Sequence, residues 1–335
     1  MSGVDRVTRV AVVGGGRAAE HDVSLASAAA VAEGLRAARE QFDVVPLTVG
    51  RDGVWRDEEL RPLGLAGAVR VLQSCDVAFP ALHGTLGEDG TLAALCELAE
   101  VPYVGSGTAA GAAAMDKWVT KLVAEAVGVR TARGRLLRAG EDPGSWTGPV
   151  VVKPVTAGSS LGVSLVRDPA DLPAALAVAS AFDERVLVEE FVVGREVCVA
   201  VLGRADGSRT VAPVEEVLRD GVFDHEAKYS GRARFVLPAV LDEAVHAALV
   251  AAALRVHDAL GCRGLVRLDF FLPSDGEEGV VLNEVNSTPG LTEHSAAPLM
   301  FAAAGVPHPE LLAGLVHDAL ATPRSWTAEP LGWAG

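Results

Sequence analysis

The first third of the chain alternates strand-like apolar runs with helix-like runs, and this alternation restricts the fold more than any other feature. Residues 7–13 read as a strand that ends in Gly14-Gly15-Gly16, and a helix is predicted over about 22–38. Phe42–Val49 predicts a second strand, residues 75–81 a later one, and Tyr103-Val104-Gly105 closes the region. Strand followed by helix, repeated, calls for a parallel sheet covered by helices, an α/β fold. The turn Gly14-Gly15-Gly16-Arg17-Ala18-Ala19 formally fits the dinucleotide fingerprint, with Gly14, Gly16 and Ala19 in the required places. That fingerprint also expects an acid at the end of the second strand. The strand here ends Pro46-Leu47-Thr48-Val49, so a nicotinamide site is disfavoured. A glycine turn before a helix N-terminus still suits an anionic ligand such as a carboxylate. Glu20 and Ser24 otherwise read as helix caps.

Beyond this region the chain changes character. A helix is expected over about 117–126, strands at 150–153 and 162–166, a strand at 211–214, and a long helix over about 242–260. With 335 residues, two or three domains are expected. The divisions fall at 1–105, 106–189 and 190–335. Half of the residues are hydrophobic and 22% are charged, which excludes a disordered chain. The net charge of −15 argues against nucleic-acid binding, since phosphate-backbone affinity needs Lys and Arg. Cys75, Cys96, Cys198 and Cys262 are scattered, with no zinc or disulfide pattern. No apolar run is long enough to span a bilayer and no leader pattern is seen, so a soluble cytoplasmic protein without a membrane partner is expected.

Chemistry-bearing residues cluster in five further places. Gly264-Leu265-Val266-Arg267-Leu268-Asp269 and Leu282-Asn283-Glu284-Val285-Asn286 read as two strands joined through the turn signal Pro273-Ser274-Asp275-Gly276. Such a hairpin gathers Asp269, Glu284 and Asn286, a hard donor set suited to Mg²⁺ carried with a nucleotide, with Arg267 beside them to face an anionic intermediate. The alternative is an acidic strand end with solvated side chains. Lys153 precedes the loop Pro154-Val155-Thr156-Ala157-Gly158-Ser159-Ser160-Leu161-Gly162, whose N–H and hydroxyl groups would cover phosphates; a plain hairpin turn is the alternative. His83 opens a loop at a strand's carboxyl end, where ligands bind in parallel sheets, although a lone His is often structural. Glu189 and Glu196 flank Phe191 and Val192 and suit an adenine amino group and ribose hydroxyls, or else a solvated linker. Lys228 and Tyr229 lie in a polar loop that reads as a lid or as a mobile surface loop.

Taken together and in order, "GGGRAAEHDVSLAS", "ALHGTLGEDGT", "AMDKWVTK", "VVKPVTAGSSLGVS", "EEFVVGRE", "HEAKY", "RLDFF" and "LNEVNSTPGLTEHS" resemble the D-alanine–D-alanine ligases of the ATP-grasp superfamily, from Val10 to about Leu312. The resemblance implies a three-domain ATP-grasp fold with an N-terminal doubly wound parallel-sheet domain and ATP between the other two. It implies that Lys117, Lys153, Ser160 and Lys228 meet ATP phosphates, Glu189 the adenine amino group, the Phe191 and Val192 backbone the ring edge, and Glu196 the ribose. Asp269, Glu284 and Asn286 would ligate two Mg²⁺ ions, for which Mn²⁺ would substitute. Glu20 would bind the ammonium of the first D-alanine and His83 its carboxylate. Glu20, Ser159 and Tyr229 would join lid to amino-acid site, Arg267 and the Gly290 backbone would form an oxyanion hole, and Ser295 would hold the second carboxylate. The implied reaction runs through an acyl phosphate to D-alanyl-D-alanine for peptidoglycan precursors, in a homodimer. Ser287 stands where Thr is usual, and Ala296 where Leu commonly lines the acceptor pocket. Ala296 keeps open a specialised ligase or cyclase of an antibiotic pathway acting on another D-amino acid. A nicotinamide-dependent oxidoreductase and a catalytically silent binding relative are the remaining alternatives.

Overall fold

A near-continuous apolar run is the mark of a strand buried on both faces. The run at the start of the chain becomes β1 (Thr8–Gly15), buried from Val10 onward. The computed structural model describes residues 6–38, 40–138, 140–145, 148–218, 234–274 and 279–323. After β1 come α1 (His21–Arg36), β2 (Phe42–Val49), β3 (Trp55–Arg56), α2 (Gly64–Gln73), β4 (Val77–Pro80) and α3 (Thr91–Leu98). The first sheet has the order β3-β2-β1-β4, with β1 parallel to both β2 and β4. Gly14 lets α1 lie close on β1: a Cβ there would stand 2.4 Å from the Ala28 Cβ.

Then follow α4 (Thr108–Met115), α5 (Lys117–Ala126), β5 (Arg130–Thr131), β6 (Gly134–Arg138), β7 (Val150–Pro154), β8 (Ser164–Val166), α6 (Leu172–Ser180) and β9 (Arg185–Glu190). The second sheet is antiparallel, in the order β6-β9-β7-β8. Its small core sets Val152, Val166 and Val186 against Ala175 and Ala179 of α6. The chain continues with β10 (Gly194–Gly203), β11 (Arg209–Val211), β12 (Glu215–Leu218), β13 (Arg234–Val236), α7 (Glu243–Leu260), β14 (Gly264–Pro273), β15 (Val281–Asn286), α8 (Ala296–Ala303) and α9 (His308–Ala321). The third sheet runs β13-β12-β10-β14-β15-β5, with β11 paired to β10.

Strand β10 is buried on both faces because its side chains alternate. Val197, Val199 and Val201 pack with Leu249, Ala253 and Val256 of α7. Cys198, Ala200 and Leu202 join the core shared with Val10 and Val12 of β1 and with Leu311, Leu312 and Val316 of α9. The last helices therefore weld the first sheet to the third. Residues 108–131, grouped above with the middle segment, also pack on the third sheet. Ala114, Ala124 and Val129 share its core, and β5 pairs parallel with β15. The strand expected at 211–214 is replaced by the junction of β11 and β12, because Pro213 has no N–H to continue a ladder.

Candidate active site

One cavity of about 700 Å³ opens where the three sheets meet. It is lined by Glu20 and His83 from the first unit, by Lys153, Ser159, Ser160 and Glu189 from the second, and by Arg267, Asp269, Glu284 and Asn286 from the third. Lys117, Phe191, Val192, Glu196, Gly290, Ser295 and Ala296 complete the expected set. Lys228 and Tyr229 lie outside the described residues, as do Asp275 and Gly276 of the expected hairpin turn.

The third sheet supplies the acidic end. Asp269 on β14 faces Glu284 on β15, and Arg267 faces Asn286, with a bulge after Asp269. Residues two apart on a strand share a face, so Arg267 reaches Asp269 along its own strand. Its Nε donates to Oδ1 at 2.8 Å and its Nη2 to Oδ2 at 2.9 Å. Burial opposes the guanidinium charge, but Asp269 outweighs it and raises the Arg267 pKa. Asn286 Nδ2 donates to Asp269 Oδ2 at 3.1 Å. Among the described residues no three His, Cys, Asp or Glu side chains converge as a ready metal site. Two carboxylates and an amide on adjoining strands nevertheless fit a hard divalent cation that draws its remaining oxygens from a nucleotide and water.

The second sheet supplies the cationic part. Lys153 is the last residue but one of β7, and its ammonium lies 2.6 Å from Glu189 Oε2 and 3.3 Å from Asn283 Oδ1. Lys121 meets the other Glu189 oxygen at 2.6 Å. Burial pushes the Glu189 carboxyl up, yet Lys153 and Lys121 together hold it below its ordinary value. A carboxylate has about four lone-pair sites, so Glu189 retains acceptor capacity toward the cavity. Lys117, first residue of α5, donates to the Ala157 carbonyl at 2.8 Å and stands 3.8 Å from Glu284 Oε2. Asp116 caps that helix, accepting from Val119 N–H, which fixes where Lys117 begins. Ser159 and Ser160 hold left-handed backbone angles, φ +53° and +56°. Consecutive non-glycine residues there store strain, which is common in ligand-covering loops.

Glu20 marks the opposite end. It precedes α1 but makes no side-chain cap, which removes the capping alternative. Its Oε1 is buried without a hydrogen-bond partner among the described residues. The carboxylate sits between two glycines: a Cβ on Gly84 would be 2.6 Å from Oε2 and one on Gly158 2.5 Å from Oε1. Gly158 belongs to the phosphate-side loop, so Glu20 links that loop to the first sheet.

His83 is held at both ring nitrogens. Its Nδ1 lies 3.0 Å from the Thr288 carbonyl, an acceptor only, so Nδ1 carries the proton. Nε2 then accepts from Ser27 Oγ at 2.8 Å, while Ser27 Oγ accepts from Leu291 N–H at 3.2 Å. Burial, above all, lowers the His83 pKa to about 4; the Thr288 bond opposes that and Arg267 adds to it. In this arrangement both nitrogens of the neutral ring are engaged within the protein. His83 fastens the loop 287–291 to α1. In the glycine turn, Gly16 N–H is taken by the Val49 carbonyl at 2.7 Å, and His21 Nδ1 donates to the Gly16 carbonyl at 2.6 Å. The Gly16 N–H is therefore not free to meet an anion.

Beside Gly290, Ser295 Oγ is placed so that a Cβ on residue 290 would lie 2.7 Å away. Ser295 precedes α8, whose first N–H groups face a ligand carboxylate well, and Ala296 follows on the cavity wall. Sequence reasoning passed over Lys121, Ser27 and Glu215. Glu215 lies in register with Cys198, which faces Asp269, so one row crosses three strands. Burial, with Asp269 adding and Arg267 opposing, pushes Glu215 up to about 7, and its Oε2 lacks a partner among the described residues. Two acids set between valines, Val214-Glu215-Glu216-Val217, were the available signal. Lys121 carried none beyond its place four residues after Lys117.

The D-ala D-ala ligase N-terminus family model matches residues 9–106, and the D-ala D-ala ligase C-terminus model matches residues 141–317. The chain is 39% identical to the D-alanine–D-alanine ligase of Mycolicibacterium smegmatis, covering 94% of this chain and 96% of that one. It is 38% identical to D-alanine–D-alanine ligase A of Mesorhizobium japonicum, covering 95% and 99%. Among solved structures it resembles D-alanyl-alanine synthetase A from Vibrio cholerae, with TM-score 0.84, 30% identity and coverage of 94% and 99%. It also resembles the VanG D-Ala:D-Ser ligase from Enterococcus faecalis, with TM-score 0.82, 32% identity and coverage of 94% and 100%.

Proposed function

Because the chain belongs to the D-alanine–D-alanine ligase family, we infer that this cavity is where ATP and the two amino acids meet. The chain is an ATP-dependent ligase that joins D-alanine to D-alanine, a step of cell-wall precursor synthesis. The observation that carries the assignment of the site is the lining itself. Glu20 of the first unit, the 158–160 loop of the second and Arg267 of the third border one space.

In this reading Glu20 takes the ammonium of the first D-alanine, which supplies a donor to its unpartnered Oε1. Lys117 and Lys153, with Lys228, hold the phosphates, and Ser159 and Ser160 cover them. Glu189 accepts from the adenine amino group, the backbone of Phe191 and Val192 meets the ring edge, and Glu196 holds the ribose. The first carboxylate attacks the γ-phosphorus in line, and ADP leaves with the electron pair of the broken P–O bond. The amine of the second D-alanine then attacks the acyl carbon. Arg267 and the Gly290 N–H face the oxyanion that forms, and inorganic phosphate departs as the dipeptide C=O re-forms. Ser295 and the start of α8 hold the second carboxylate. His83 keeps the 287–291 loop in register for this. Asp269, Glu284 and Asn286 would hold Mg²⁺, which neutralises charge on the phosphates. Closure by the Tyr229 loop would exclude water from the acyl phosphate.

A cytoplasmic homodimer is carried over from the family likeness; light scattering of the purified chain tests the dimer. Among the described residues no single helix is long and apolar enough to cross a membrane. A second reading, in which another D-amino acid is the acceptor, is favoured by Ala296, whose small side chain lines the cavity together with Ser295. One assay addresses both readings: phosphate release from ATP with D-alanine alone, and with D-alanine plus D-serine, larger D-amino acids or D-lactate, products identified by mass. D-alanyl-D-alanine as the main product is expected. No phosphate release with D-alanine alone overturns the first reading, and a mixed dipeptide formed in preference establishes the second.

A further inference from the structure

Lys121 stands behind the nucleotide end of the cavity and does not line it. It donates to Glu189 Oε1 at 2.6 Å and to the Ala132 carbonyl. Lys153 takes Glu189 Oε2 at 2.6 Å from the cavity side. Each of the three charged residues is only 5% exposed. One carboxylate between two ammonium groups leaves a net positive charge in a poorly solvated place. That is costly without a further anion, so the cluster is built to receive one. The two lysines are not equivalent. Only Lys153 borders the space where phosphates would lie, and its departure toward them leaves Lys121 and Glu189 as a neutral, hydrogen-bonded pair. Burial of a lone carboxylate would otherwise favour its protonation.

We propose that Lys121 is a positioning residue for selection of the nucleotide base: it anchors the Glu189 carboxylate, ionised and fixed in direction, while Lys153 turns to the phosphates. Glu189 so held accepts a hydrogen bond from an exocyclic amino group and repels a ring carbonyl at the same position. This rests on the reading of Glu189 as the adenine-side acceptor. The Ala132 carbonyl supplies the second fixed point, so Lys121 orients Glu189 from the α5 side and the β5–β6 connection at once.

The test compares binding of ATP and inosine triphosphate by calorimetry, and steady-state kinetics with D-alanine, for the full chain and for Lys121→Met, Lys121→Arg and Glu189→Gln. Inosine carries a ring carbonyl in place of the amino group. Lys121→Met is expected to weaken ATP about tenfold or more and inosine triphosphate far less, so that the preference collapses. The KM for D-alanine and kcat at saturating ATP stay within about threefold, and Lys121→Arg keeps most of the preference. Lys121→Gln, which retains a donor to Ala132 without the charge, replaces the Met variant if thermal melting shows that variant unfolded, with the same loss expected. An equal loss for both nucleotides, or an unchanged ATP affinity, overturns the proposal. If Glu189→Gln itself keeps the ATP preference, the reading of Glu189 fails; if Glu189→Gln loses it and the Lys121 variants keep it, only the role of Lys121 fails.

Discussion

Arg267 holds both carboxylate oxygens of Asp269, at 2.8 and 2.9 Å, from two residues earlier on the same strand. A planar fork on a planar carboxylate fixes both in one plane. The cation that would face the acyl oxyanion and the acid that would face the metal are thus set by one contact. Each half can be removed separately, and the consequences should differ.

Arg267→Ala removes the group facing the oxyanion while leaving Lys117 and Lys153 in place. Dipeptide formation should fall by about 100-fold or more. ATP affinity, measured by calorimetry, should change far less. An equal loss of both would contradict the oxyanion role.

Asp269→Asn keeps the shape and deletes the charge. Arg267 keeps one carbonyl to bind while the amide NH₂ faces a second donor, so some stability should be lost, which thermal melting measures. The Mg²⁺ concentration giving half-maximal activity should rise about tenfold or more. A thermal shift produced by Mg²⁺ with ADP should shrink in parallel. Activity with an unchanged Mg²⁺ response would remove Asp269 from the metal set.

Gly158→Ala places a Cβ 2.5 Å from Glu20 Oε1. The atom displaced is the end of a flexible side chain, so stability should change by less than about 1 kcal/mol. Glu20 must turn away, and the KM for D-alanine should rise several-fold while the ATP affinity holds. A D-alanine KM equal to that of the parent chain would show that the Glu20 carboxylate does not hold the ammonium.

His83 gives a pH signature. Its folded pKa lies near 4 against an ordinary 6.5, chiefly through burial. Between these values the unfolded chain binds a proton that the folded chain does not, so stability rises with pH across that window. The contribution is complete above pH 6.5 and lost as pH falls toward 4, at most about 3 kcal/mol. Urea midpoints from pH 4 to 7 should show this rise, and His83→Gln should flatten it. A parallel slope in the variant would place the effect elsewhere.

Much of the site was legible because its residues sit in short segments of definite local form. Val10 to Val13 announce a buried strand, and the pair around Asp269 and Glu284 announces a hairpin with acids on one face. Alternation along a strand then forces Arg267, Asp269, Glu284 and Asn286 to one side. Pro213 defeated the same reasoning at 211–214, and Glu215 was passed over with it. The glycine turn looked like an anion cradle because local pattern does not tell whether an N–H is free. Val49, thirty-odd residues on, takes it.

The sequence by itself determined the parallel N-terminal sheet, the acidic hairpin and the kinds of group at each end of the cavity. Those follow from periodicity, turn chemistry and side-chain type, which act over a few residues. Tertiary structure alone decided which group each buried charge meets. Lys121 meets Glu189 across 68 positions, and His83 meets Thr288 across 205. Buried ionic and polar groups must find partners, and their strength depends on the dry surroundings those partners share. Packing of distant segments creates both, so neither is written in the local pattern around Lys121 or His83.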